Sequence, residues 1–265
     1  APAALPTVEH SSLKLDLHRR DFTINTLAIS LNKNTFGQLL DFFGAQRDIK
    51  EKTIRVLHSL SFVEDPTRVF RAIRFEHRFG FHIGRHTMSL IKNAIKMSFL
   101  SRIKGKRIWT ELTLILAEET PERVLKRLHE LDLLKFISPD LSFDKEKERL
   151  FGKMQAVYQW YELLYHNKPS NKTEYLLLGL VDNMKSEDIA EFCKKIEMTE
   201  SVKKRIIENM QKIREIMTKF SLGLEAMKKS ELYNYLESIS QEAKLFIMAK
   251  TKSENIKKII SNYIT

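Results

Sequence analysis

The chain has 265 residues, 43% of them hydrophobic, and a formal net charge of +11 from 45 Lys and Arg against 34 Asp and Glu. This length supports two domains or one elongated one, and eight Gly and six Pro are too few for a loop-rich β protein. A single cysteine, Cys193, excludes an internal disulfide, and no apolar run is long enough to cross a bilayer, so the composition suits a cytoplasmic protein with no membrane partner.

The charge is unevenly placed. Residues 59–111 hold eleven Lys and Arg against four Asp and Glu, so net +7 of the +11 lies in this short span. A focused basic stripe on an otherwise balanced chain points to a polyanion, either nucleotide phosphates or a nucleic-acid backbone.

Residues 1–16 are weakly patterned and lack a leading methionine, which reads as the interior of a longer protein. Arg19, Arg20 and Asp21 then precede a short helical pattern in which Phe22, Ile24, Leu27 and Ala28 are candidates for burial. Asn25 lies four residues beyond Asp21, so the two can share a face. Two short strands are predicted over 28–31 and 38–42, around an Asn-rich turn. The sequence Asp41-Phe42-Phe43-Gly44 turns the chain, 45–52 is a loop or short helix, and 53–57 is a third strand. Such a piece belongs to an α/β domain whose remaining strands lie elsewhere, because three short strands are marginal alone.

The stretch from Ser61 to Gly80 is the centre of the chain. Glu64, Asp65 and Pro66 read as a helix start, with Pro at the first position and Asp just before it. At about 100° per residue, Arg68, Arg71, Arg74 and Arg78 fall within roughly a third of a turn, while Val69, Phe70 and Ile73 face another side. A carboxylate accepts from an exocyclic amine and an arginine donates to a ring nitrogen. Asp65 and Arg68, three apart, therefore complement the pairing edge of adenine or cytosine but not of guanine or uracil. Arg71 and Arg74 would suit a triphosphate. The plainer alternative is that Asp65 caps the helix and the arginines are a solvated face.

After the central helix, residues 79–83 form a hinge, with Gly80 and Gly84. His77, His82 and His86 do not share one helical face across it, so a zinc site is set aside. Helices are predicted over 87–97, 107–118 and 121–134, then over 143–166, 173–183, 186–196, 199–220, 230–239, 241–249 and 253–263, with Ser186, Thr199, Ser230 and Ser253 as caps. Short connections make these antiparallel neighbours in a bundle. Tyr158, Trp160, Tyr161 and Tyr165 have the spacing of core residues more than of an RNA-stacking platform, and the Lys pairs at 194–195, 203–204, 228–229 and 257–258 read as solvated faces. Arg107 and Glu111 sit at helical pairing distance. Cys193 is read as a small core residue.

Three segments in order, RRDFTINTLA at 19–28, DFFGAQRDI at 41–49 and EDPTRVFRAIRF at 64–75, resemble the class II tRNA nucleotidyltransferase and bacterial poly(A) polymerase family. Together they are a specific match over roughly the first 140 residues. The wording of the first two is closest to long members that also carry DHH and CBS domains upstream, some of which add only the terminal A of tRNA. The resemblance implies that Arg20, Asp21 and Asn25 hold the ribose and phosphates, that Asp65 and Arg68 template the base, and that Arg71 and Arg74 hold the triphosphate. It also implies that Arg107 and Glu111 support the base-reading helix. Arg19 is expected to be a surface or structural ion pair.

The family's metal-binding Asp-x-Asp and its Gly-rich turn are not in this sequence; the nearest spacing, Glu130-Leu131-Asp132, sits in a helical pattern far downstream. The resemblance thus implies Mg2+ held by residues outside this chain, no catalytic residue within it, and the rest of the head in the same full-length protein. The expected architecture is mainly α: the rear part of an α/β nucleotidyltransferase head (1–58), a basic base-reading neck (59–119) and a helical body that binds the RNA acceptor (120–265). The expected activity of the whole protein is terminal A addition to tRNA from ATP, with CCA or CC addition using CTP, or poly(A) synthesis, as alternatives. A non-catalytic RNA-binding module is the alternative of another class.

Overall fold

The structure is a computed structural model that describes residues 12–164, 170–221 and 229–265. Tyr165, Lys228 and the opening residues 1–11 lie outside them, as does the side chain of Ser230. The fold is mainly helical, and the chain divides into two compact units, one ending at Arg102 and one running from Ile103 to Thr265.

The first unit opens with α1 (Leu13–His18), capped by the Ser12 side chain. A single 3-10 turn, Thr23–Asn25, replaces the expected short helix, and Phe22 beside it is fully buried. β1 (Ala28–Ile29) and β2 (Leu39–Leu40) form an antiparallel pair, two residues each where longer strands are expected. The Asp41 turn leads through Gly44, at φ +76°, into α2 (Ala45–Lys50). β3 (Thr53–Ile54) follows.

α3 (Ser61–Glu64) is short, and α4 (Arg68–Arg78) begins two residues later than the Pro66 start that the sequence predicts. The reason is local. Asp65 ends α3, and its carbonyl accepts from Arg68 N at 3.1 Å, so Pro66 and Thr67 form a turn. α4 buries Val69, Phe70, Ala72, Ile73 and Phe75. At about 1.5–3 kcal/mol for each large apolar side chain, this face anchors the helix. The ring of Phe75 meets Phe22 edge-on at 5.8 Å.

The hinge is more ordered than its sequence suggests. Gly80, at φ +62°, turns the chain, and His82–Ile83 become β4, paired in parallel with β3. α5 (Arg85–Lys96) packs through Thr87, Ile91 and Ala94, and a 3-10 turn, Phe99–Arg102, ends the unit.

The second unit is helical throughout its described residues. α6 (Gly105–Leu116) and α7 (Pro121–Glu130) come first. α7 stops four residues before the expected end. Asp132 adopts φ +57°, and Leu133 N–H reaches back to Leu128 O at 2.8 Å. α8 (Leu134–Ile137) is therefore separate, and the Glu130-Leu131-Asp132 spacing lies across a turn rather than within a helix.

α9 (Lys145–Leu163) is capped by Asp144, α10 (Lys172–Val181) by Asn171, and α11 (Ser186–Lys195) follows without a side-chain cap, so Ser186 does not take that role. α12 (Glu200–Ser221) and α13 (Lys229–Ser238) precede α14 (Gln241–Lys250), capped by Ser240, and α15 (Glu254–Ile264), capped by Ser253. α14 packs on both α9 and α10. Tyr158 and Tyr161 are buried in this core, and Tyr158 stacks on Tyr175 at 5.5 Å, as core spacing implies. Cys193 is fully buried, and burial pushes its thiol up to about 11, which removes it as a nucleophile. No helix among the described residues is long and apolar enough to cross a membrane.

Candidate nucleotide-binding site

The first unit brings the two halves of the candidate site together through Asp21, which is only 7% exposed. Its Oδ1 accepts from Phe22 N–H at 2.9 Å and from Asn25 Nδ2 at 2.8 Å. Its Oδ2 accepts from Arg71 Nε at 2.8 Å and from the neighbouring Arg71 NH2 at 2.6 Å. Four donors therefore converge on one buried carboxylate, which is what such a charge requires. The 3-10 turn is thereby tied to α4, fifty residues further along the chain.

A second tie runs beside it. Arg68 NH2 donates to Arg19 O at 2.7 Å, while its NH1 donates to Ser61 Oγ at 2.8 Å. The Arg68 side chain is 12% exposed and also approaches Glu64 at 3.9 Å. Asp65 Oδ1 accepts from Thr67 N at 3.1 Å and Thr67 Oγ1 at 2.6 Å. Both residues of the candidate base-reading pair are thus anchored by hydroxyl groups from buried neighbours, Ser61 and Thr67. The sequence reading missed these two. The signal for Thr67 was its position two residues after an Asp, the usual spacing of an Asx turn.

The other candidates are placed less uniformly. Arg20 is exposed and lies 3.9 Å from Asp16, while Arg19 makes a surface ion pair with the same carboxylate. Arg74 departs from the expected open arginine face: it is 5% exposed, with its guanidinium 4.8 Å from the Phe75 ring centroid. On α6, in the second unit, Glu111 is buried and Arg107 is exposed.

Behind the site, the fully buried Asp48 accepts from Thr23 Oγ1 at 2.7 Å, Arg55 NH1 at 2.9 Å and Arg47 Nε at 3.3 Å. Asp41 caps α2, accepting from Ala45 N at 2.8 Å and Gln46 N at 3.0 Å. Burial pushes the Asp41 carboxyl upward, but the N–H groups of Gln46, Ala45 and Phe43 outweigh it, and the net shift is below the usual carboxylate range. The second resembling segment, 41–49, is thus the scaffold that fixes the 3-10 turn.

Among the described residues no three His, Cys, Asp or Glu are grouped so as to hold a metal ion. They do not fit the Mg2+ that nucleotidyl transfer in this kind of family generally uses.

A family model described as the poly A polymerase head domain matches residues 2–55, and one described as a probable RNA and SrmB-binding site of polymerase A matches residues 80–144. A solved tRNA-processing enzyme in its apo form 2 superposes with a TM-score of 0.83 at 30% identity, covering 96% of this chain and 71% of that one. The chain belongs to the class II tRNA nucleotidyltransferase family. Its similarity within the family extends to the A-adding tRNA nucleotidyltransferase of Geobacter sulfurreducens, 46% identical over 267 residues, which covers all of this chain and 30% of that protein. A CCA-adding enzyme solved in complex with ATP superposes with a TM-score of 0.78 at 32% identity, covering 95% of this chain and 59% of that one. The chain spans about a third of the length of the curated relatives it matches. The Asp21 turn lies within the residues that match the poly A polymerase head model, and α4 lies between the two matched segments.

Proposed function

We propose that the whole protein to which this chain belongs adds the terminal A to the 3′ end of tRNA from ATP. In that reaction the RNA 3′-hydroxyl gives up its proton to solvent as its oxygen bonds to the α-phosphorus, the bond from that phosphorus to the oxygen bridging to the β-phosphate breaks, and pyrophosphate leaves with the electron pair. Mg2+ would be held by residues outside this chain. The observation that carries the reading is the anchored pair of Asp65 and Arg68 at the start of α4. Asp65 would accept from the adenine amine and Arg68 would donate to the ring nitrogen beside it. Asp21, with Asn25 and Arg71, would set the edge of the ribose and phosphate site, and Arg20 and Arg74 would add positive charge near the phosphates.

The pair accepts C as well as A, so it does not separate terminal A addition from CCA or CC addition or poly(A) synthesis. The full-chain identity to an A-adding relative supports A; the likeness to an ATP-bound CCA-adding enzyme supports the broader activity as the second reading. Arg107 and Glu111 on α6 would act as structural support, and the helical second unit would hold the RNA acceptor. A reducing cytoplasm is the compartment we assign. The deciding experiment gives the full-length protein tRNAs ending before CCA, after C and after CC, with each nucleoside triphosphate alone. Incorporation of A alone, on the tRNA ending in CC, supports the proposal. C incorporation moves the assignment to the second reading, and RNA binding with no incorporation and no base preference leaves a non-catalytic module.

A further inference from the structure

The second unit contains a cavity of about 450 Å³ between α9, the end of α10 and the end of α14. Its lining includes Lys147, Arg149, Lys153, Lys250 and Lys252, against the carboxylates of Asp182 and Glu146. Lys250 is already committed, since its Nζ donates to both Asp182 oxygens at 2.6 and 2.7 Å. Arg149, Lys153 and Lys252 are exposed and have no carboxylate partner among the described residues. The surplus of positive charge therefore belongs to the rim.

The inner wall is more unusual. Lys147 is 2% exposed, and its Nζ donates to Leu180 O at 2.5 Å. An ammonium has three donors, so the one backbone acceptor does not exhaust it. Burial pushes its pKa down, with the charges of Asp182 and Asp144 acting in the opposite direction. A buried ammonium is costly to keep unless it serves packing or a partner anion. Here it lines a cavity whose rim adds two further lysines and an arginine fork, the groups best suited to a phosphate.

We propose that this cavity is a phosphate-binding site, taking either a phosphodiester of an RNA backbone or a small free phosphate. Lys147 would meet the phosphate oxygens from within, and Arg149, Lys153 and Lys252 would close on them from the rim. The RNA arm of this inference rests on the function proposed above; the free-phosphate arm does not.

The test titrates the full chain with tRNA ending in CC, followed by fluorescence anisotropy over a series of salt concentrations, and separately with inorganic phosphate, followed by thermal shift. The rim variant Arg149→Ala/Lys153→Ala is compared with wild type. Lys147→Met is tested alongside, and the rim variant keeps the test intact should Lys147→Met not fold. If the site takes the RNA backbone, the rim variant binds tRNA about ten-fold more weakly, with a salt slope shallower by about 1–2. If it takes a small phosphate, phosphate raises the melting temperature of wild type but not of the rim variant, and tRNA affinity is unchanged. Wild type and rim variant that respond identically to both ligands overturn the inference. Wild type that binds no tRNA at all overturns the RNA-acceptor part of the proposed function, whatever the phosphate titration shows.

Discussion

Thr67 donates its hydroxyl to Asp65 Oδ1 at 2.6 Å, and its backbone N–H reaches the same oxygen at 3.1 Å. Two donors from one buried residue fix the orientation of that carboxylate before any nucleotide arrives. If Asp65 reads the base amine, its discrimination depends on this preorganisation. Asp65→Ala is expected to abolish the preference for ATP and CTP over GTP and UTP, a difference of about 1–3 kcal/mol for a well-placed pair. Thr67→Val keeps the shape and loses the hydroxyl, so it is expected to reduce that preference without abolishing nucleotide binding, while Thr67→Ser restores it. Equilibrium binding of all four triphosphates to each variant checks this, and an undiminished preference in Asp65→Ala would end the base-reading assignment.

The Asp21–Arg71 pair gives a prediction about stability. Arg71 is 34% exposed while Asp21 is 8% exposed at the side chain. The pair is therefore worth less than a fully buried bridge, because solvent screens one partner. Arg71→Ala is expected to cost about 1.5–3 kcal/mol, the range for hydrogen bonds to a charged group. In a double-mutant cycle with Asp21→Asn, urea unfolding is expected to give a coupling energy of about 0.5–3 kcal/mol. A coupling near zero would mean that the two side chains do not meet in solution.

Much of the helical content was legible because apolar residues recur at the helical period, and α4 buries Val69, Phe70 and Ile73 as that period predicts. What the period does not carry is where a helix ends without Gly or Pro. α7 stops at Glu130 because Asp132 takes a left-handed conformation, which Asp tolerates better than most residues but which is a far weaker signal than Gly or Pro. The pairing of Thr53–Ile54 with His82–Ile83 was hidden for a different reason: it joins segments almost thirty residues apart, and two-residue strands leave no alternation to read. The convergence of Asn25 on Asp21 was legible from a spacing of four. That of Arg71 was not, since only the tertiary fold brings α4 to the 3-10 turn. Arg74 and Lys147 show the remaining gap, because charge in a sequence gives no warning that the side chain will be buried.

The Asp41 turn should make stability depend on acid pH. Its folded pKa is lowered, so the unfolded chain binds the proton more readily. The stabilisation is then fully present above the usual carboxylate value, near pH 4, and is lost as pH falls through the lower folded value. Asp41→Ala is expected to cost about 1 kcal/mol at neutral pH, as for loss of an N-terminal cap, and to flatten the fall in stability below about pH 4. Urea midpoints measured across that range test it. Parallel profiles for wild type and variant would show that the turn is not a source of acid lability.

Two glycines should respond to alanine in opposite directions. A Cβ on Gly105, at the first position of α6, would stand 2.1 Å from Lys195 O and 3.0 Å from the Ile196 carbonyl carbon. Both atoms are backbone at the end of α11, so neither can step aside as a flexible side chain would. Either the start of α6 or the end of α11 must shift, and overpacking of this kind typically costs about 1–3 kcal/mol. Gly152 lies within α9, and a Cβ there would meet nothing within 4 Å. Its alanine variant loses the conformational freedom that glycine brings to the unfolded chain and meets no steric penalty, so a gain of about 0.5–1 kcal/mol is expected. Urea unfolding of both variants measures the two effects against the same reference, and equal shifts in the two would contradict the close approach at Gly105.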